Sequence, residues 1–346
     1  MKTFLKICIK RAQRFYCKLF TEPAVFKQHK HFFFVHIPKT AGTSFRSAFE
    51  LTAVTYQDYK NSAKIFSESI SQLVYKNNDY YTFKQRFTAQ NSAWITGHVK
   101  LVKYVDLVSV THIITFLRHP VKRVISQYQH HVQHHGFTGE LSEFITRPIT
   151  KNSQSRHLDF MPLSLVGYVG ITEKYNDSLF LINQQYSLAL PLKSKNRNKK
   201  SQVSFDSLDD KLKSLIIKNN THDIALYNEA MFLHESRMQL ADQNMPWTYG
   251  VVSIDKKGGI TGCAYQYEND QAIDLNVKVN NETLACITAQ EFYPLYTKAN
   301  FPRDRYIGFE FELPDYLTSE DVIDIYVKST GQKLNFKPLI VSKNKC

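Results

Sequence analysis

An apolar run from His31 to Ile37 opens directly onto Pro38-Lys39-Thr40-Ala41-Gly42-Thr43-Ser44. From Thr43 the pattern turns helical, with Phe45, Ala48 and Phe49 on one side. A strand that passes through a short glycine-bearing loop straight into a helix is a strong constraint. It turns successive backbone N–H groups toward one point at the helix N-terminus, where an anion is stabilised. Lys39 adds a mobile positive charge, and Thr43 and Ser44 add hydroxyl donors. The loop is not a Walker A sequence, because the lysine precedes the glycine and GxxxxGK[ST] is absent. An ordinary turn capped by Thr43 or Ser44 is the plainer alternative, but it leaves the lysine unexplained.

The same grammar continues downstream. Trp94 to Thr96 and His112 to Leu117 are apolar runs of strand length. Pro120 opens a helical stripe through Val121, Val124, Ile125, Tyr128 and Val132. Gly170 to Thr172 reads as a further strand, followed by helices near Leu179 to Tyr186, Leu208 to Ile217 and Asp223 to Met238. Strand and helix in alternation predict an α/β fold, a P-loop-like parallel sheet flanked by helices. After Met245-Pro246 the texture changes to short β-type runs at 251–254, 260–265, 273–279, 284–287, 309–313 and 322–327. The turn-forming stretches Lys257-Gly258-Gly259, Glu268-Asn269-Asp270 and Asn280-Asn281 punctuate them. The expected organisation is therefore a basic N-terminal segment (1–30), an α/β domain (31–244) and a small all-β, sandwich-like accessory domain (245–346).

A second chemistry-bearing segment is Phe116-Leu117-Arg118-His119-Pro120, running on to Tyr128. It places Arg118 at a strand's carboxyl end and Ser126 on the following helix, a pairing of guanidinium and hydroxyl suited to a second phosphate. The charge agrees. Forty-four lysines and arginines against 31 acids leave a net +13, and the basic excess lies in the first 244 residues. Such a body implies an anionic partner.

HIPKTAGTS followed by FLRHPVKRVISQY resembles the paired phosphosulfate-binding signatures of the sulfotransferases, and most closely the branch of the heparan-sulfate uronyl 2-O-sulfotransferases and their bacterial relatives. The resemblance spans about residues 31–240. It implies 3′-phosphoadenosine 5′-phosphosulfate (PAPS) as sulfuryl donor, with no metal. It also implies that Lys39, Thr40, Ala41, Gly42, Thr43 and Ser44 hold the 5′-phosphosulfate, while Arg118 and Ser126 hold the 3′-phosphate. In Trp94-Ile95-Thr96-Gly97-His98-Val99, His98 falls on the second histidine of that branch's His-Gly-His-Val element, the general base; Lys39 is the other catalytic candidate. An imidazole suits the removal of a hydroxyl proton. Thr96 replaces the first histidine of the pair, a departure that bears on the branch. Asn152-Ser153-Gln154-Ser155-Arg156 resembles an element in which Gln154 and Arg156 face donor or acceptor. The basic stretch Lys195 to Lys200 is similar to a loop that closes over the 3′-phosphate.

Other features carry less. His130 to His135 (HHVQHH) has i,i+4 histidine spacing, but no acid or cysteine accompanies it, and it reads as a solvated or acceptor-facing helix end. Residues 1–20 carry six bases and no acid on an amphipathic pattern, which predicts either peripheral contact with an anionic membrane or a helix packed on its own domain. A signal peptide fits badly, since bases interrupt the apolar stretch. Five scattered cysteines without CxxC spacing suit a reducing compartment, so the expected location is cytoplasmic, extending to the inner face of the membrane. The expected function is a PAPS-dependent carbohydrate O-sulfotransferase acting on an anionic glycan, with no nucleic-acid partner. A phosphate-loop nucleotide kinase and a non-catalytic glycan-binding protein are the rivals.

Overall fold

The computed structural model describes residues 30–50, 52–60, 65–192, 205 and 207–340. The basic segment over residues 1–20 and the Lys193–Lys200 loop lie outside them.

Its first layer is a parallel five-stranded sheet ordered β2-β3-β1-β4-β5, built from β1 (Lys30–Val35), β2 (Val54–Asp58), β3 (Ser92–Gly97), β4 (Ile113–Leu117) and β5 (Tyr168–Ile171). Strand β1 occupies the centre because both of its faces are apolar. Phe33 and Val35 join Ile95, Ile113 and Leu117 on one side; Phe32 and Phe34 join Ile114, Phe116, Phe45 and Phe49 on the other. Burial on two faces is the mark of a strand covered by helices above and below. The indole of Trp94 anchors one side, stacked between Phe32 (centroids 4.4 Å apart) and Phe49 (4.1 Å).

The helices that cover or follow the sheet are α1 (Gly42–Phe49), α2 (Tyr80–Thr88), α3 (Pro120–His134), the short α4 (Leu141–Phe144) and α5 (Ser153–Leu158), α6 (Tyr175–Tyr186), α7 (Asp210–Asn219) and α8 (Thr221–Asp242). Strand β2 and helix α2 have no counterpart in the sequence reading. Strand β2 is short, on the sheet edge and only half-buried, so it lacks the continuous apolar run that betrayed β1. Among the described residues no helix is long and apolar enough to cross a membrane.

The C-terminal strands form two antiparallel sheets. One runs β10 (Glu291–Phe292), β11 (Tyr306–Phe311), β7 (Ile260–Gln266), β6 (Thr248–Ile254); the other runs β12 (Ile323–Val327), β8 (Ile273–Val279), β9 (Glu282–Ala289). Ile260, Ala264 and Phe309 from the first meet Leu275, Val277 and Ile325 from the second, which gives the sandwich-like core that alternation predicts. These sheets do not stand apart, however. Tyr249, Cys263, Tyr265, Phe301 and Ile307 belong to the same apolar cluster as Phe33 and Ile113. The Tyr265 hydroxyl donates to the Leu165 carbonyl (2.9 Å), and the Tyr249 hydroxyl to that of Gly167 (2.9 Å). From His31 onward the chain forms one compact unit. The change of texture at residue 245 thus marks a change of secondary structure inside a shared core.

Truncation after Asn244 tests this sharing. It strips large aromatic side chains, each contributing ~2–3 kcal/mol of burial, from the α/β core. The expected product aggregates or loses its near-UV circular dichroism; a cooperatively unfolding 31–244 fragment would contradict the shared core.

Candidate functional site

The loop after β1 folds as its sequence foreshadows, at a cost in backbone strain. Lys39 (φ 71°) and Ala41 (φ 64°) both adopt left-handed conformations, although neither is glycine. Such residues cost on the order of 1–3 kcal/mol each and persist where function or packing enforces them. Alternating left- and right-handed residues make a concave array of N–H groups. Helix α1 begins at Gly42, and glycine is required there by close approach: a Cβ would sit 2.0 Å from the His36 ring. Thr40 is fully buried, its hydroxyl donating to the Ile37 carbonyl (2.9 Å) and closing the loop from within. Ser44 is buried on the first turn, whereas Thr43 is exposed.

Arg118, at the end of β4, comes to this loop. Its Nη1 donates to the Lys39 carbonyl (3.3 Å), so the two strand-to-helix corners adjoin. Burial lowers the Lys39 pKa, and the Arg118 charge lowers it further. Burial likewise lowers that of Arg118, against a raising field from Glu173. Two partly desolvated cations side by side, with the carboxylate of Glu173 engaged elsewhere by the His119 amide (3.1 Å) and the Tyr227 hydroxyl (3.2 Å), make a receptor for a multivalent anion. Ser126 lies half-buried two turns into α3.

Gln154 holds Arg118 in place. Its amide oxygen accepts from the Arg118 N–H (2.8 Å), and its amide nitrogen donates to the Arg118 carbonyl (2.9 Å). The side chain is completely buried and both its groups are spent, so the expected contact with donor or acceptor gives way to a bracing role. Arg156 is also turned away. It is exposed and folds back onto the carbonyls of Asn152 (3.3 Å) and Pro148 (2.9 Å). The brace continues to Asp223, whose carboxylate accepts from the amides of Gln154 (3.0 Å) and Ser155 (2.8 Å) and faces the buried Arg123 at 4.0 Å.

His98 stands at the end of β3, next to β1. The His36 amide donates to the Gly97 carbonyl (3.2 Å), and His98 Nδ1 lies 2.7 Å from the His36 carbonyl. A carbonyl only accepts, so Nδ1 carries the proton and Nε2 keeps its lone pair. The ring packs against His36 (centroids 4.5 Å apart) and edge-on to Tyr59 (4.9 Å), and the residue opens to solvent. Burial lowers the His98 pKa; the bond to His36 raises it, while His157 and Arg46 lower it further. The imidazole is therefore neutral at pH 7. Below it, the Tyr59 hydroxyl bridges His36 Nδ1 (2.6 Å) and Thr96 (3.2 Å), so Thr96 supports the floor of the site. Gly97 permits this packing, because a Cβ there would meet the Asp58 carbonyl oxygen at 2.3 Å.

Tyr59, Asp223 and His157 escaped the sequence reading. His157 directly follows the Asn152–Arg156 element, and its Nδ1 donates to the Ser153 carbonyl (2.6 Å). The histidines at the end of α3 pack ring against tilted ring, His130 against His134 at 4.8 Å and His131 against His135 at 4.8 Å. Burial, chiefly, lowers the pKa of His130 to about 4, and the charges of Lys39 and the neighbouring histidines lower it too. Among the described residues no cluster of three or more histidine, cysteine or acidic side chains is arranged to hold a metal ion.

A family model matches this region. Residues 22–161, which include the loop, His98, Arg118 and Gln154, match the model described as the sulfotransferase family. This part of the chain is similar to the sulfotransferase family. The match names the family and no branch within it. No curated protein matches the chain. Among solved structures, mouse sulfotransferase SULT7A1 complexed with PAP is 13% identical with a TM-score of 0.36, covering 59% of this chain and 90% of that one. A sulfotransferase from Alicyclobacillus acidocaldarius is 15% identical with a TM-score of 0.35, covering 57% and 95%. These likenesses are remote.

The brace behind this site has a measurable weight. Asp223→Ala removes the acceptor for two amides and leaves Arg123 buried without its counter-charge, which should cost about 3 kcal/mol or more. Asp223→Asn, which retains one acceptor oxygen, should cost less. Urea unfolding checks both, and equal stability of all three proteins would contradict the brace.

Proposed function

We propose that this chain is a PAPS-dependent sulfotransferase whose acceptor is a hydroxyl of a carbohydrate, most consistent with an anionic glycan. The observation that carries the reading is the bond from His98 Nδ1 to the His36 carbonyl, which presents a neutral Nε2 beside a loop furnished with Lys39 and Arg118. The residues present fit the donor: two adjoining cations and a concave backbone suit an ester carrying several negative charges. The complex of SULT7A1 with PAP, the desulfated form of that nucleotide, agrees with this choice. PAPS supplies, when bound, a sulfuryl group on a good leaving group.

The chain's own residues do the rest. Lys39, Thr40, Ala41, Gly42, Thr43 and Ser44 would hold the 5′ end through backbone amides, hydroxyls and one ammonium. Arg118 and Ser126 would hold the 3′-phosphate. Because Arg118 reaches the Lys39 carbonyl, the two groups of contacts act on one ligand as a unit. His98 Nε2 accepts the proton of the attacking hydroxyl, while its Nδ1–H remains on the His36 carbonyl, which stabilises the imidazolium as it forms. Lys39 opposes the negative charge that develops on oxygen during transfer, a role in which a fixed charge in a partly dry site is most effective.

The basic excess of the first 244 residues supports an acidic acceptor, and the cysteine usage supports a cytoplasmic setting, with membrane contact through residues 1–20. Nothing in the loop favours a kinase, which would require a lysine after the glycines.

Transfer of labelled sulfate from PAPS to a panel of neutral and acidic glycans tests the reading. His98→Ala should lower kcat by ~10²–10⁴-fold, the usual contribution of a general base, and leave binding of adenosine 3′,5′-bisphosphate unchanged. Since the His98 pKa is lowered, the acid limb of the kcat/KM profile should fall below pH 6.5: Nε2 is protonated, and activity lost, only as pH drops through that depressed value. Unimpaired transfer by His98→Ala, or an acid limb above pH 7, would remove His98 from this role.

A further inference from the structure

A cavity of about 350 Å³ lies where α6 and α8 meet the start of β6, lined among others by Gln184, Gln185, Arg237, Trp247, Tyr249 and Tyr267. It borders Tyr168, the first residue of β5, whereas the anion loop follows the last residue of β1. In a parallel sheet these are opposite ends of the strands, so the cavity is separate from the site described above.

Two of its features ask for a ligand. The indole Nε1 of Trp247 is buried and has no hydrogen-bond acceptor among the described residues. A buried donor left unmade costs ~1–3 kcal/mol, and such groups are rare unless something else satisfies them. The second is Arg237, only 7% exposed, which among the described residues has no carboxylate as a hydrogen-bond or ion-pair partner and none along the cavity lining. Its guanidinium donates to the Gln185 side-chain oxygen (2.8 Å) and the Gly167 carbonyl (2.9 Å). The rings of Trp247 (4.5 Å), Tyr168 (4.9 Å) and Tyr249 (5.2 Å) pack around it. Those rings offset part of the cost of burying the charge, but supply no anion.

The walls narrow the chemistry further. Trp247 and the tyrosines offer flat faces of the kind that pack against the C–H face of a sugar ring, and the exposed Gln184 amide at the rim offers a donor and an acceptor for hydroxyls. The volume is at the lower end of the range for small-molecule sites and holds one or two pyranose rings. We propose that this cavity is a second ligand site, taking a carboxylate-bearing sugar ring of the hexuronate class, with the carboxylate on Arg237 and a ring or hydroxyl oxygen on Trp247 Nε1. The site's chemistry stands whether or not His98 is a base. It fits an acidic glycan held at a distance from the residue being modified.

Fluorescence of the full chain provides the test. Of its two tryptophans, Trp94 is fully buried in the sheet core, so a ligand-dependent change reports Trp247. Titration with glucuronate should give a saturable change, and glucose, which shares the ring but lacks the carboxylate, should bind at least ~10-fold more weakly, the equivalent of one charge-assisted contact. By calorimetry, Trp247→Phe should weaken glucuronate several-fold, because the ring stays and the donor goes; Arg237→Lys should weaken it at least ~10-fold. Binding of adenosine 3′,5′-bisphosphate, measured on the same samples, should be unchanged, which shows that the variants fold and keeps the two sites' outcomes apart. No saturable response to glucuronate up to 20 mM, equal binding of glucose, or indifference of glucuronate to Trp247→Phe would each overturn the proposal.

Discussion

The candidate site of this molecule depends on how β1 and β3 finish. The ladder between them runs on past the strands through the His36 amide and the Gly97 carbonyl, and the His98 imidazole then takes the next acceptor, the His36 carbonyl. The sheet thereby chooses a tautomer. A side chain whose proton position is free in solution is held by a backbone oxygen that can only accept, and its basic nitrogen is left over. The same residue, His36, carries its ring beneath Gly42, so His98 and the loop that begins helix α1 share one foundation.

The second foundation lies deeper. Arg118 is aimed by its backbone, and that backbone is clamped on both polar groups by Gln154. Gln154 is itself fixed by Asp223, which reaches across from α8. Burial lowers the pKa of Lys39 and repulsion from Arg118 lowers it further, a repulsion that would separate two free side chains. Here the bond from Arg118 to the Lys39 carbonyl and the buried amide network hold the pair together. An anion that binds between them relieves the repulsion as well as gaining the contacts, which is how preorganised cationic sites increase affinity.

The sequence is most legible where local pattern and long-range position coincide. The apolar run before Lys39 and the proline after Arg118 announced strand, corner and helix, and both corners formed as expected. It is least legible where a polar side chain serves the backbone instead of a ligand. Gln154 and Arg156 sit in a segment with the composition of a contact loop, yet one is buried against a peptide and the other bonds its own turn. Nothing in residue type separates these uses, because an amide pairs equally well with a phosphate, a sugar or a peptide group. The change of texture at residue 245 was real as secondary structure and misleading as a boundary. Alternating strands show which residues point inward, and cannot show that Tyr249 and Tyr265 point into a neighbour's core.

Nitrogen-15 NMR of the histidine side chains at pH 7.5 tests whether the sheet leaves His98 with a proton on Nδ1 and a bare Nε2 beside an anion-binding loop. The His98 signals should be those of the Nδ1–H tautomer, with Nε2 unprotonated, and should shift when adenosine 3′,5′-bisphosphate is added. A His98 that carries its proton on Nε2, or whose signals ignore the nucleotide, would contradict it.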